Sequence, residues 1–204
     1  MKKFWSLLVM AVCVFAGAAW AEGLSREHPL ILDKEAKQVT ILARVNGKYF
    51  DETTMHAIVF EGGKVGDKAL FASYADPLAV YEALKEIGAQ PGDNVTLESK
   101  NLAVEGSAMR AMVSWEGSPA RDLNELVIDE GGRALDLRFG GNAATAKELG
   151  TGCVACFVSC PAGIMSNASY LFAPADGVEP AYRGNKDLLP PDGTEVQITF
   201  SLAQ

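Results

Sequence analysis

Strict alternation of apolar and polar residues is the feature that most narrows what this chain can fold into. In QVTILARV, Val39, Ile41, Ala43 and Val45 share one side while Thr40 and Arg44 take the other. AMRAMVSW repeats the pattern through Met109, Ala111, Val113 and Trp115, LDLRF through Leu135, Leu137 and Phe139, and EVQITFSL through Val196, Ile198, Phe200 and Leu202. A period of two is the signature of strands with one face on a core and one toward water. The shorter runs HAIVF, ALFASY, VTLES and ELVID also read as strands, separated by glycine and Asp/Gly turns. GGKVGD and DEGGR are expected as hairpin turns.

One segment breaks the alternation. In DPLAVYEALKEIGAQPG, Asp76 suits an N-cap, Pro77 sits where a missing N–H costs nothing, and Gly88 suits the left-handed residue that ends a helix. Val80, Tyr81, Leu84 and Ile87 form an apolar stripe, with Glu82, Lys85 and Glu86 facing water. The expectation is an α+β fold, a mainly antiparallel sheet with one packed helix. From Asn142 the character changes: NAATAKELGTG reads as a short helix, then come a cysteine segment and a Pro/Gly-rich stretch before the last strand. Residues 142–194 are therefore expected as a Cys/Pro/Gly-rich excursion from a single domain spanning 22–204.

The first residues set the compartment. MKKFWSLLVMAVCVFAGAAWAEG has a positive start, an apolar run and Ala19 and Ala21 framing a cleavage point, the pattern of a secretory signal peptide over residues 1–21. The run falls short of the roughly 20 apolar residues a spanning helix needs. Cys13 follows the bulky Val12, unlike a lipid-modified cysteine, which follows a small residue. Cleavage after Ala21 removes two lysines and no acid, moving the net charge from −8 to −10. An acidic chain without a Lys/Arg stripe repels phosphate backbones, so nucleic acid is excluded as a partner class. The expected product is exported, periplasmic in a Gram-negative source, with no integral membrane segment once the signal is removed and with a redox or envelope protein as the partner class.

All cysteines beyond the signal lie in TGCVACFVSCPAGI. Cys153, Cys156 and Cys160 are spaced i, i+3 and i+7, so on a helix all the thiols would line one face, with Pro161 stopping it. The string matches the last cysteines of the bacterial ferredoxin run C-x-x-C-x-x-C-x-x-x-C-P, with Gly150 where the first would stand. Pre-assembled clusters are exported behind twin-arginine signals, whereas this one carries Lys2 and Lys3. An oxidising compartment favours a disulfide, and an odd count leaves one thiol over. Three readings stay open: a disulfide plus free thiol, a metal or cluster site on Cys153, Cys156 and Cys160 holding zinc or iron–sulfur, and thiol exchange at the C-x-x-C pair. For metal, a fourth ligand would come from His28, His56 or a carboxylate such as Glu148.

Other chemistry is not marked. GGKVGD has neither Walker nor dinucleotide spacing, and no serine occupies a G-x-S-x-G elbow. Asp122, Glu125, Asp129 and Glu130 read as a solvated face. No second constellation points to an enzyme.

The pieces HPLILDKEAKQVTILARVNG, MHAIVFEGG, PLAVYEALKEIGAQPGD, MVSWEG, RFGGN and SCPAGIMSNASY, in that order, resemble the YdjY-type domain family of bacterial exported proteins. The resemblance spans about residues 28–202 and carries no assigned reaction. Members with this cysteine segment are described as ferredoxin-like, which implies a cluster expectation for Cys153, Cys156 and Cys160. Two functions follow as expectations: an exported accessory or binding module whose cysteines are structural, or a redox protein passing electrons through them.

Overall fold

The apolar stripes of QVTILARV, AMRAMVSW and EVQITFSL stack in register in a ten-stranded mixed sheet, whereas LDLRF gives only the two-residue edge strand Leu137–Arg138. The computed structural model describes residues 20–203, so the expected signal peptide, apart from its last two residues, and Cys13 lie outside the described residues. In chain order the elements are β1 (Leu30–Asp33), β2 (Gln38–Val45), β3 (His56–Phe60), β4 (Ala69–Ser73), α1 (Pro77–Glu86), β5 (Met109–Ser114), β6 (Arg121–Asp122) and α2 (Leu123–Leu126). They continue with β7 (Val127–Asp129), β8 (Leu137–Arg138), α3 (Ala143–Leu149), β9 (Cys153–Cys156), β10 (Met165–Asn167), β11 (Tyr182–Gly184) and β12 (Glu195–Leu202). The sheet runs β6-β5-β12-β2-β4-β3-β9-β10-β8, with β1 added beside β2, while β7 and β11 pair separately. Sheet dominates over short helices, as an α+β class requires. Most neighbours are antiparallel, but β3 with β4 and β9 with β10 are parallel.

The long antiparallel centre follows directly from the sequence period. Val39 pairs with Phe200, Ile41 with Ile198 and Ala43 with Val196, and β12 in turn sets Phe200 against Ala111 and Ile198 against Val113. Nearly all of these side chains are fully buried. Each such Val, Ile or Phe contributes about 1.5–3 kcal/mol relative to exposure. Helix α1 covers this face with Val80, Ala83 and Leu84. It starts where Asp76 accepts hydrogen bonds from the Leu78 and Ala79 N–H groups, at 2.8 and 3.3 Å. It ends at Gly88, whose φ of +92° only glycine adopts without strain. Among the described residues no helix is long and apolar enough to cross a membrane.

Several local expectations differ from the structure. VTLES forms no strand: Thr96 and Ser99 close a turn on each other, leaving Leu97 exposed. ELVID splits because the Asp122 carboxylate caps α2 by accepting from the Asn124 N–H, so only Val127–Asp129 is strand. GGKVGD is not a hairpin turn, since the strands it joins, β3 and β4, are parallel and a tight two-strand turn joins only antiparallel neighbours. DEGGR does turn, through Gly132 N–H to Asp129 O, yet β7 pairs with β11 and not with the strand that follows. Residues 142–194 include α3, as expected, and contribute β9 and β10 to the large sheet, while β11 pairs with β7 outside it.

Candidate metal centre

The cysteine segment is a strand, not a helix, which overturns the expectation of thiols on one helical face. Gly150 (φ +61°) ends α3 and Gly152 (φ +87°) redirects the chain, so no helix can run into Cys153. Residues 153–157 are then all buried, the continuous burial of a strand covered on both faces. Antiparallel to β3, β9 pairs Cys156 with His56, Ala155 with Ile58 and Cys153 with Val59, with register shifts on both sides of Ile58.

Those shifts create the site. On a regular strand, residues three apart point to opposite faces. A bulge inserts one extra residue and resets that parity. Cys153 and Cys156 accordingly share one small buried cluster with Val59 and Ala69, while the intervening Val154 and Ala155 both join the main core. The paired histidine completes the arrangement: the Cys153 Sγ lies 3.8 Å from the His56 Nδ1. One ligand atom each from His56, Cys153 and Cys156 lies within 4.8 Å of the others. Donors around a tetrahedral ion with metal–sulfur and metal–nitrogen bonds of about 2.0–2.3 Å sit roughly 3.5–4 Å apart. The spacing suits one ion.

Electrostatics favour a bound thiolate. The Cys153 thiol is lowered to about 5, first because Cys156 donates a hydrogen bond to its sulfur and then through His56, against the upward push of burial. Cys156 is raised well above an ordinary thiol, because its proton can be given to either Cys153 or Cys160 and because burial disfavours its charge. Cys160 is lowered, chiefly by that hydrogen bond from Cys156, with the Ala162 N–H donating to its sulfur at 3.4 Å. The three sulfurs thus form a chain with Cys156 in the middle. Pro161 and Ala162 turn the segment back over the thiols. A Cβ at Gly163 would stand 3.1 Å from the Cys156 Sγ and 2.7 Å from the Ser166 Oγ, so this close pass needs glycine.

The other candidate ligands stay away. His28 is exposed near the start of the described chain, and Glu148 is exposed on α3. His56 is the sequence candidate that the fold delivers. The register of β3 against β9 places it, and neither run alone shows that pairing. Sequence reasoning missed the aromatic and amide support behind β9. Phe157 stacks on Tyr182 at 4.5 Å between ring centroids, and the Asn167 amide donates to the Phe157 carbonyl at 3.0 Å and to the Tyr182 hydroxyl oxygen at 3.2 Å. The Tyr170 hydroxyl donates to Asp129 at 2.6 Å beneath the Arg133 guanidinium, which lies 4.4 Å from the Tyr170 ring.

Fold and site together define a class: a sheet-dominated α+β domain in which a half-buried histidine meets two buried cysteines between its third and ninth strands. Comparison with known proteins gives the family. The YdjY domain matches residues 30–201, and the chain belongs to the YdjY domain family. It is similar to "Uncharacterized protein YdjY" of Escherichia coli (strain K12), at 42% identity over 186 residues that cover 90% of this chain and 83% of that protein. No solved structure matches it significantly.

Proposed function

We propose that this protein is an exported accessory module that holds one soft transition-metal ion, with His56, Cys153 and Cys156 as ligands and Cys160 as the fourth donor. The observation that carries the reading is the convergence of one imidazole nitrogen and two thiol sulfurs within 4.8 Å. Thiolate and imidazole donors with no carboxylate among them select soft or borderline ions over magnesium or calcium. Hydrogen bonding that lowers the Cys153 thiol favours the thiolate, the form that binds metal. A mononuclear ion accounts for the histidine better than an all-cysteine cluster does.

The test is metal analysis with thiol counting on protein purified without oxygen, beside Cys153→Ser. One ion per chain in the wild type and none in the variant is the expected result. One free thiol with no metal in either would replace the site by a disulfide. Stoichiometric iron and sulfide would replace it by a cluster.

A further inference from the structure

Three of the proposed donors, His56, Cys156 and Cys160, line a cavity of about 290 Å³ that is otherwise mostly apolar. Val158, Leu171, Phe172 and Ala173 form its walls, with His56, Cys156 and Cys160 on one side. Met55 also lines it and is 44% exposed, one of few large apolar side chains left facing solvent among the described residues. Sulfur donors are therefore ranked by depth. The Met55 thioether stands nearest solvent, Cys160 is half-buried, and Cys156 and Cys153 are each only 2% exposed. Oxygen is scarce along this route. Glu179 is exposed, and the buried Ser159 hydroxyl is engaged, accepting from the Val104 N–H at 2.9 Å and donating to the Asn167 carbonyl.

We infer that the ion this site takes is monovalent and soft, copper(I) or its surrogate silver(I), and that it enters by way of the Met55 thioether and the Cys160 thiolate. The inference rests on the proposed ligand set and deepens it. A hydrated dication would have to shed water into an apolar cavity with almost no oxygen to replace it. Thioether and thiolate donors suit copper(I) as well as zinc, and of the two the monovalent ion costs less to dehydrate in an apolar cavity. The bond from the ion to the Met55 sulfur breaks as bonds to Cys156, Cys153 and His56 form, while the bond to Cys160 is kept. Each thiol that still carries its proton, Cys156 among them, releases it to solvent as its bond to the ion forms, and the ion keeps its oxidation state. The apolar walls limit solvent access to the bound ion.

The experiment follows transfer of copper(I) from a chromophoric chelator to the reduced full chain, for wild type and Met55→Leu, with zinc loading measured in parallel. Leucine keeps the volume and apolarity of Met55 and removes only its sulfur. The expected result is one copper(I) per chain, with loading slowed about tenfold in Met55→Leu, a loss on the scale seen for groups just outside a ligand shell. Zinc loading should be the same in both proteins. Equal copper(I) rates, or an equal slowing of zinc, would overturn the inference and leave the metal site standing. Failure of the wild type to bind either metal, with Cys153→Ser indistinguishable from it, would overturn the ligand assignment itself.

Discussion

The two ends of the large sheet are built on different rules. Around β12 the strands are long, antiparallel and in unbroken register, with Val39, Ile41, Val113, Ile198 and Phe200 stacked across three neighbours. Around β9 they are short, the pairing alternates between parallel and antiparallel, and the register slips on both sides of Ile58. One end maximises apolar burial. The other gives up regularity to bring two thiols of β9 together with an imidazole of β3. Stability and chemistry are thus separated along one sheet, and each end can be perturbed with a distinct readout.

The largest effect is expected at the regular end. Phe200→Ala should cost about 3–5 kcal/mol in denaturant unfolding, and the fraction that stays folded should bind metal as the wild type does. Loss of metal binding from the folded fraction would show that the two ends are coupled.

Metal removal probes the irregular end. With free ion at a hundred times its dissociation constant, stripping it with a chelator should lower stability by about 2.7 kcal/mol. Cys156→Ser should show no chelator effect in the same thermal scans. A chelator effect that persists in the variant would place the ion elsewhere.

Tyr170→Phe sharpens the comparison at the support behind β9. Burial pushes the Asp129 carboxyl up, but hydrogen bonds from Tyr170 and from the backbone N–H groups of Arg133 and Gly131 outweigh it and hold the group below its ordinary value. Losing the Tyr170 bond should cost about 1.5 kcal/mol, the low end for a bond to a charged group because the carboxylate is partly solvated. The sign follows from linkage. A carboxyl lowered in the folded state adds stability above its unfolded pKa and loses it as pH falls through the folded value. The gap between variant and wild type should therefore be full near neutrality and close in acid. A gap that is constant with pH would mean that the phenol acts only by packing.

The smallest effect lies at the start of α1. Asp76→Ala removes a carboxylate that accepts from two backbone N–H groups and should cost about 1 kcal/mol. Metal affinity should not change.

The same contrast explains what the sequence made legible. β2, β5 and β12 and the helix α1 announce themselves because each rests on a local period or cap, and the structure places them where the alternation of Val39 to Val45 and the Asp76-Pro77 start require. The YdjY resemblance was equally readable from short motifs spread along the chain. The cysteine segment was not, because the spacing of Cys153, Cys156 and Cys160 suits a helix and nothing local reveals a bulge. That bulge arises from pairing with β3, a partner remote in sequence. ELVID and VTLES failed for the opposite reason: side-chain bonds from Asp122 and Ser99 overrode a plausible strand composition.

The pairing of β3 with β9 also fixes an order of events in time. His56 and Cys153 are 97 residues apart in the chain. Until the strands between them have folded, the imidazole and the thiols occupy separate lengths of coil, and closing so long a loop is among the slower steps of assembly. A polypeptide threaded unfolded across a membrane has no such site to carry an ion with it. An ion held as proposed would therefore be loaded only after folding, and its presence would report a closed β3–β9 pairing.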